Sequence, residues 1–230
     1  MKEKTNIILM GILVLLSGIS IALNNNIVKE QEKTDAIKFK EEYEALNDKE
    51  LGNLGKKYPT VEIKENNPMY YASYEEVLEV LDETAIIYLG YPECPWCRNL
   101  VPTLIDAANK TSINKIYYIN MKDERNKLSL DENGEIKTEY EGTEGYKKLV
   151  EKLKDVLPVY EGLNDESIKR IYVPVVIFVK DGEVIKMHID TVESQTDPLV
   201  ELTKEQKAEL KGILTDYMLE VSSSACTDAC

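Results

Sequence analysis

Residues 84–110 read TAIIYLGYPECPWCRNLVPTLIDAANK. Thr84–Gly90 is a short apolar run closed by Gly and Pro, the pattern of a buried strand. The stretch from Tyr91 to Lys110 is read as a loop that turns into a helix after its first few residues. Cys94 and Cys97 therefore stand where a strand hands over to a helix. The placement has chemical consequences. A cysteine at the helix N-terminus faces unpaired backbone N–H groups and the positive end of the helix dipole, both of which favour thiolate over thiol. Cys94 is expected to have a depressed pKa, and Cys97, one turn further in, to be more buried and less acidic. A nucleophilic thiolate beside a resolving thiol is what disulfide exchange requires. Pro95 occupies the first helical position, where its missing N–H costs no hydrogen bond.

Elements of the same kind extend on both sides. Val61–Ile63 suggests a short strand. Ser73-x-x-Glu76 is a capping box, and Val77, Leu78, Val80 and Leu81 then mark a helix. Lys115–Met121 (KIYYINM) reads as a second buried strand. Residues 122–142 are polar, with Asn133-Gly134 as a turn signal. Tyr146, Leu149, Val150, Leu153, Val156 and Leu157 form a helical stripe. Val175–Val179 is a third strand, and Asp181-Gly182 turns it back into Glu183–Ile189 as a hairpin. Thr203-x-x-Gln206 caps a last helix with Leu210, Ile213, Leu214, Tyr217 and Val221 on one face. Helices alternating with strands and closing on a hairpin predict a mixed α/β protein with a central sheet.

Composition narrows the function. The chain has 230 residues, 43% of them hydrophobic, enough for one domain with extensions, and a formal net charge of −14. That balance argues against nucleic acid, whose phosphates need clustered Lys and Arg, and against a polybasic membrane-surface mode. His188 is the one histidine, which removes most His-based metal sites and catalytic schemes; it is expected on the second hairpin strand. Residues 7–23 (IILMGILVLLSGISIAL) carry no charge and follow Lys2, Glu3 and Lys4. They are read as a targeting segment within 1–28, either a secretory signal cleaved after Ala22 or an uncut membrane anchor. Both readings place the rest outside the cytoplasm, anchored or secreted, where thiols can be oxidised. Residues 29–59, charged and poor in apolar side chains, are expected to be a loosely attached helical spacer. A globular domain over 60–221 and a tail over 222–230 complete the division.

Two bland readings of Cys94 and Cys97 compete with exchange chemistry. A disulfide inside a two-residue loop removes little chain entropy and would staple almost nothing. Half a zinc site would need Cys226 and Cys230 to fold back onto the pair. Those two, in SSSACTDAC, are read as a second exchange pair or a local disulfide, and spacing does not choose. No metal and no cofactor other than the dithiol itself is implied. Around the pair, Trp96 is read as a substrate-facing aromatic or a lid over Cys94. Glu93, if close, would oppose the helix dipole, and Tyr91 shapes the loop.

With Cys94-Pro95-Trp96-Cys97 at a strand-to-helix junction, the chain resembles the thioredoxin superfamily over about residues 60–221. Pro102 matches the position where that family kinks its active-site helix. Val173-Pro174 matches the family's cis-proline, which lies opposite the dithiol and positions an extended substrate chain. The resemblance implies a thioredoxin-like fold and a thiol–disulfide oxidoreductase acting on protein or peptide thiols and disulfides, with a further redox partner to reset the dithiol. Within the superfamily, YLGYPECPWCRNLVPTL looks most like the thioredoxin-like proteins that accompany bacteriocin export. The chain also departs from the family. Cys97 and Pro174 are 77 residues apart, so 122–145 and 158–170 look inserted. The buried acid that the family carries six residues before its first cysteine is Tyr88 here. A rival reading is a thioredoxin-fold module that binds an exported peptide or a membrane partner, with the dithiol incidental.

Overall fold

The computed structural model describes residues 33–52 and 55–223. The segment 7–23, its cleavage site, and Cys226 and Cys230 lie outside the described residues. Contacts divide the chain after Thr34, and the fold below is that of the unit beginning at Asp35.

In chain order the elements are α1 (Asp35–Glu44), β1 (Met69–Tyr71), α2 (Tyr74–Val80), β2 (Ala85–Gly90), α3 (Pro95–Lys110), β3 (Ile116–Asn120), β4 (Lys127–Leu130), β5 (Ile136–Tyr140), α4 (Glu144–Leu153), β6 (Val175–Lys180), β7 (Glu183–Ile189) and α5 (Lys204–Ser222). Five strands form one sheet in the order β1-β3-β2-β6-β7. β3 runs parallel to both β1 and β2, while β6 runs antiparallel to β2 and β7. A mixed sheet with helices on its faces and the dithiol where β2 meets α3 is a thioredoxin-like fold. β4 and β5 form a separate two-stranded hairpin. All five residues of β5 are exposed, so no apolar pattern announced it.

Local chemistry sets the boundaries. The capping boxes at Ser73/Glu76 and Thr203/Gln206 are both formed. Every residue of β2 is buried, as a central strand covered on both faces requires. Asp181 and Gly182 both take positive φ, 51° and 82°, the tight turn whose twist matches a hairpin. α3 packs against α5, and Asn99 fixes the join by donating to the Pro198 carbonyl at 2.8 Å and accepting from the Leu202 N–H at 3.1 Å.

Two expectations need correction. Val61 and Ile63 are buried on either side of an exposed Glu62, but the segment pairs with no strand; the Val61 N–H is taken by the Asn47 amide oxygen and that of Ile63 by Glu44. The first strand is Met69–Tyr71 instead. Nor is 29–59 a loose spacer where it is described. α1 belongs to the core: Phe39 and Tyr43 are both 0% exposed. Phe39 meets the Tyr118 ring edge-on at 4.8 Å, and Tyr43 hydrogen-bonds Tyr88. Two aromatics four residues apart suffice to seat a helix whose other side chains are mostly charged.

Phe39→Ala is therefore expected to destabilise the protein by about 3–5 kcal/mol in urea unfolding, the cost of an aromatic cavity. A spacer residue would change stability by no more than about 0.5 kcal/mol.

Candidate active site

β2 delivers the chain to the end of the sheet, and Tyr91–Glu93 turn it into α3. Cys94 is the N-cap of α3, with φ −81° and ψ 115°, and its sulfur accepts the Cys97 N–H at 3.3 Å. A sulfur thus does what a Ser or Asp oxygen does at other helix starts. Pro95 follows at the first helical position, and Pro102 lies inside the helix. The Val173–Pro174 bond is cis, and the Cys94 thiol points at the Val173 carbonyl, 3.9 Å away. Dithiol and cis-proline, 79 residues apart in sequence at Cys94 and Val173, are thus side by side. Both cysteines are free thiols.

The two thiols are made unequal by their surroundings. The Cys97 thiol hydrogen-bonds the Cys94 sulfur and is the largest influence holding the Cys94 pKa below its ordinary value. Partial burial opposes it, while the N–H groups of Cys97 and Trp96 and the Arg125 charge add to the lowering. Cys97 is 0% exposed, and burial first, then the Cys94 sulfur, push its pKa well up. Cys94 is 6% exposed, just beneath the surface.

The other expected residues fall around this pair. Trp96 is half-buried and lines one end of a cavity of about 600 Å³ that runs past His188, Val192, Ile213 and Tyr217. The Glu93 charge is engaged by Lys122 at 2.6 Å. The Tyr91 carbonyl accepts the Cys94 N–H at 3.2 Å, which closes the loop. His188 lies on β7, where burial lowers its pKa and its ring Nε2 bonds the Thr191 carbonyl at 2.9 Å.

Sequence reasoning missed two arginines. Arg98, directly after Cys97, is 1% exposed, and its hydrogen bonds among the described residues go to uncharged acceptors. It donates to the carbonyls of Pro59 (2.6 Å), Tyr43 (2.7 Å) and Pro92 (3.3 Å) and to Asn47 Oδ1 (2.6 Å). The Tyr43 carbonyl belongs to the C-terminal end of α1, where a helix dipole favours a cation. Arg98 so ties α1, the active-site loop and α3 together. Arg125, from the stretch before β4, sits 5.6 Å over the Tyr91 ring and is the positive charge that acts on Cys94. No spacing rule links Arg125 to a dithiol 31 positions earlier.

No family model matches the chain, and no curated protein matches it. Among solved structures, thioredoxin O2 from Arabidopsis thaliana in the oxidized state is similar, with 14% identity and a TM-score of 0.36, over 65% of this chain and 94% of that one. The strand order and the position of the dithiol carry the fold class independently of that neighbour.

Alkylation of the reduced protein should modify Cys94 first. Its rate should rise with pH and level off at a lower pH than for an unperturbed cysteine, because the Cys97 thiol and the N–H groups at the start of α3 lower its pKa; Cys97 should react only on unfolding. Arg125→Ala removes a favourable charge, raises the Cys94 pKa and should slow that alkylation at neutral pH about twofold, the scale of a partly screened charge interaction.

Proposed function

We propose that the protein is a thiol–disulfide oxidoreductase working through Cys94 and Cys97. The observation that carries this reading is the asymmetry of the pair: a near-surface sulfur whose pKa is lowered first by the Cys97 thiol and then by the N–H groups at the start of α3, and a fully buried partner whose N–H donates to it. In the reducing direction the Cys94 thiolate attacks one sulfur of a substrate disulfide; that S–S bond breaks, a mixed disulfide forms, and the other substrate sulfur departs as a thiolate that takes up a proton. Cys97 then attacks Cys94, the substrate leaves as a thiolate that takes up a proton, and two electrons have passed from dithiol to substrate. The oxidising direction is the same path reversed. Val173 and Pro174 position the substrate chain, and Pro95, Trp96, Glu93 and Tyr91 shape its approach.

The finer reading is a protein outside the cytoplasm, placed there by residues 7–23, that exchanges disulfides with exported proteins or peptides and is reset by a separate redox partner. In this reading it would act like the thioredoxin-like proteins that accompany bacteriocin export, which YLGYPECPWCRNLVPTL resembles. Cys226 and Cys230 enter this reading as a second exchange pair or a local disulfide. One observation favours the rival binding module: the cavity beside Trp96 is large enough to hold side chains of a bound peptide.

Trapping separates the two. In the host cell, Cys97→Ser should accumulate mixed disulfides through Cys94, and Cys94→Ser should abolish both the adducts and the phenotype. A binding module would keep its phenotype in Cys94→Ser and trap nothing.

A further inference from the structure

Resolution of the mixed disulfide needs Cys97 as a thiolate, yet its burial opposes that charge. The groups facing Cys97 are Cys94 on its own helix, Tyr91 from the loop, Tyr88 from β2, Tyr43 from α1 and Tyr118 from β3. The charged side chains nearby are occupied elsewhere. Glu42 holds the Tyr71 hydroxyl and the Asn120 amide, Arg98 spends its donors on carbonyls and Asn47, and Arg125 acts on Cys94. The Tyr91 backbone N–H eases the ionisation of Cys97 most, and among side chains the Tyr88 phenol adds to it.

The geometry around Tyr88 is built. Its hydroxyl is 2.8 Å from that of Tyr43, and both residues are 0% exposed. Its ring stacks on Tyr118 with centroids 5.4 Å apart and planes at 15°. Gly90 has room for no side chain, because a Cβ there would run into the Tyr88 phenol. The phenol therefore lies forward over Gly90, toward the dithiol.

We propose that the Tyr88 hydroxyl donates a hydrogen bond to the Cys97 sulfur as it becomes a thiolate, while the Tyr43 hydroxyl donates to Tyr88, so that the pair readies Cys97 as the resolving nucleophile. The inference rests on the exchange reading above and supplies its second step. It gives the tyrosine that replaces the family's acid a different role, that of a donor. Burial holds the Tyr88 pKa well above the ordinary phenol value, so the phenol keeps its proton and does not act as a base. The step balances without it: Cys97 Sγ bonds Cys94 Sγ, the Cys94–substrate bond breaks, and the departing substrate thiolate takes up the proton that Cys97 gave up.

The test uses the full-length chain with Cys226→Ser and Cys230→Ser, and with Cys94 loaded with thionitrobenzoate, so that its coloured release reports attack by Cys97. The pH midpoint of release should move up by about one unit in Tyr88→Phe, tenfold slower at fixed pH, the scale of one lost hydrogen bond to a charged group. Tyr43→Phe, which keeps the Tyr88 phenol in place and serves if Tyr88→Phe does not fold, should move it the same way by less. Cys94 alkylation should change less than twofold in both. Release profiles that coincide with the wild type, or Cys94 alkylation slowed as much as release, would overturn the proposal. A wild-type protein that releases no thionitrobenzoate would instead overturn the exchange reading beneath it.

Discussion

Cys94 is both the N-cap of α3 and the half of the dithiol nearer the surface, and the site is organised by that double duty. An N-cap must present an acceptor to the first free N–H groups of its helix. When the acceptor is sulfur, the same N–H groups stabilise the thiolate. Helix start and nucleophile are then one structural feature, and little can shift without affecting both. β2 has to end where it does, Pro95 has to begin the helix, and the Val173–Pro174 segment, which leads into β6 beside β2, has to bring its carbonyl to the sulfur.

What lies beneath Cys94 is as particular as what lies above it. The floor is a block of aromatic rings: Phe39 and Tyr43 from α1, Tyr88 from β2, and Tyr118 from β3. Arg98 pins the end of α1 to this block through uncharged acceptors. A buried guanidinium satisfied by carbonyl dipoles avoids bringing a carboxylate near Cys97, where a second negative charge would oppose the thiolate. The residues before the first strand thereby become part of the surroundings of the dithiol.

Much of this was legible in the sequence. The buried strands, the capped helices and the Asp181-Gly182 hairpin announce themselves because burial imposes a period and turns demand particular residues. Cys94 and Cys97 were legible because two cysteines at that spacing are chemically distinctive, and Pro174 was legible only through the resemblance to the thioredoxin superfamily. α1 was not, since two aromatics in a charged run give too little signal, and the partner rings they fill lie far off in sequence. β4 and β5 escaped because a solvated hairpin has no apolar face to show. Tyr88 could be read only as a missing acid, because Tyr43 seemed to belong to a spacer. Arg98 looked like an ordinary helix charge until its acceptors came into place.

The account turns on whether Cys94 and Cys97 interconvert reversibly. The direct measurement is an equilibrium titration of the protein in glutathione buffers, with each cysteine's state read by mass after alkylation. The account predicts a reversible two-electron transition of this pair between about −270 and −120 mV, the span of thioredoxin-type couples. A pair that stays fully reduced or fully oxidised throughout that span would contradict it.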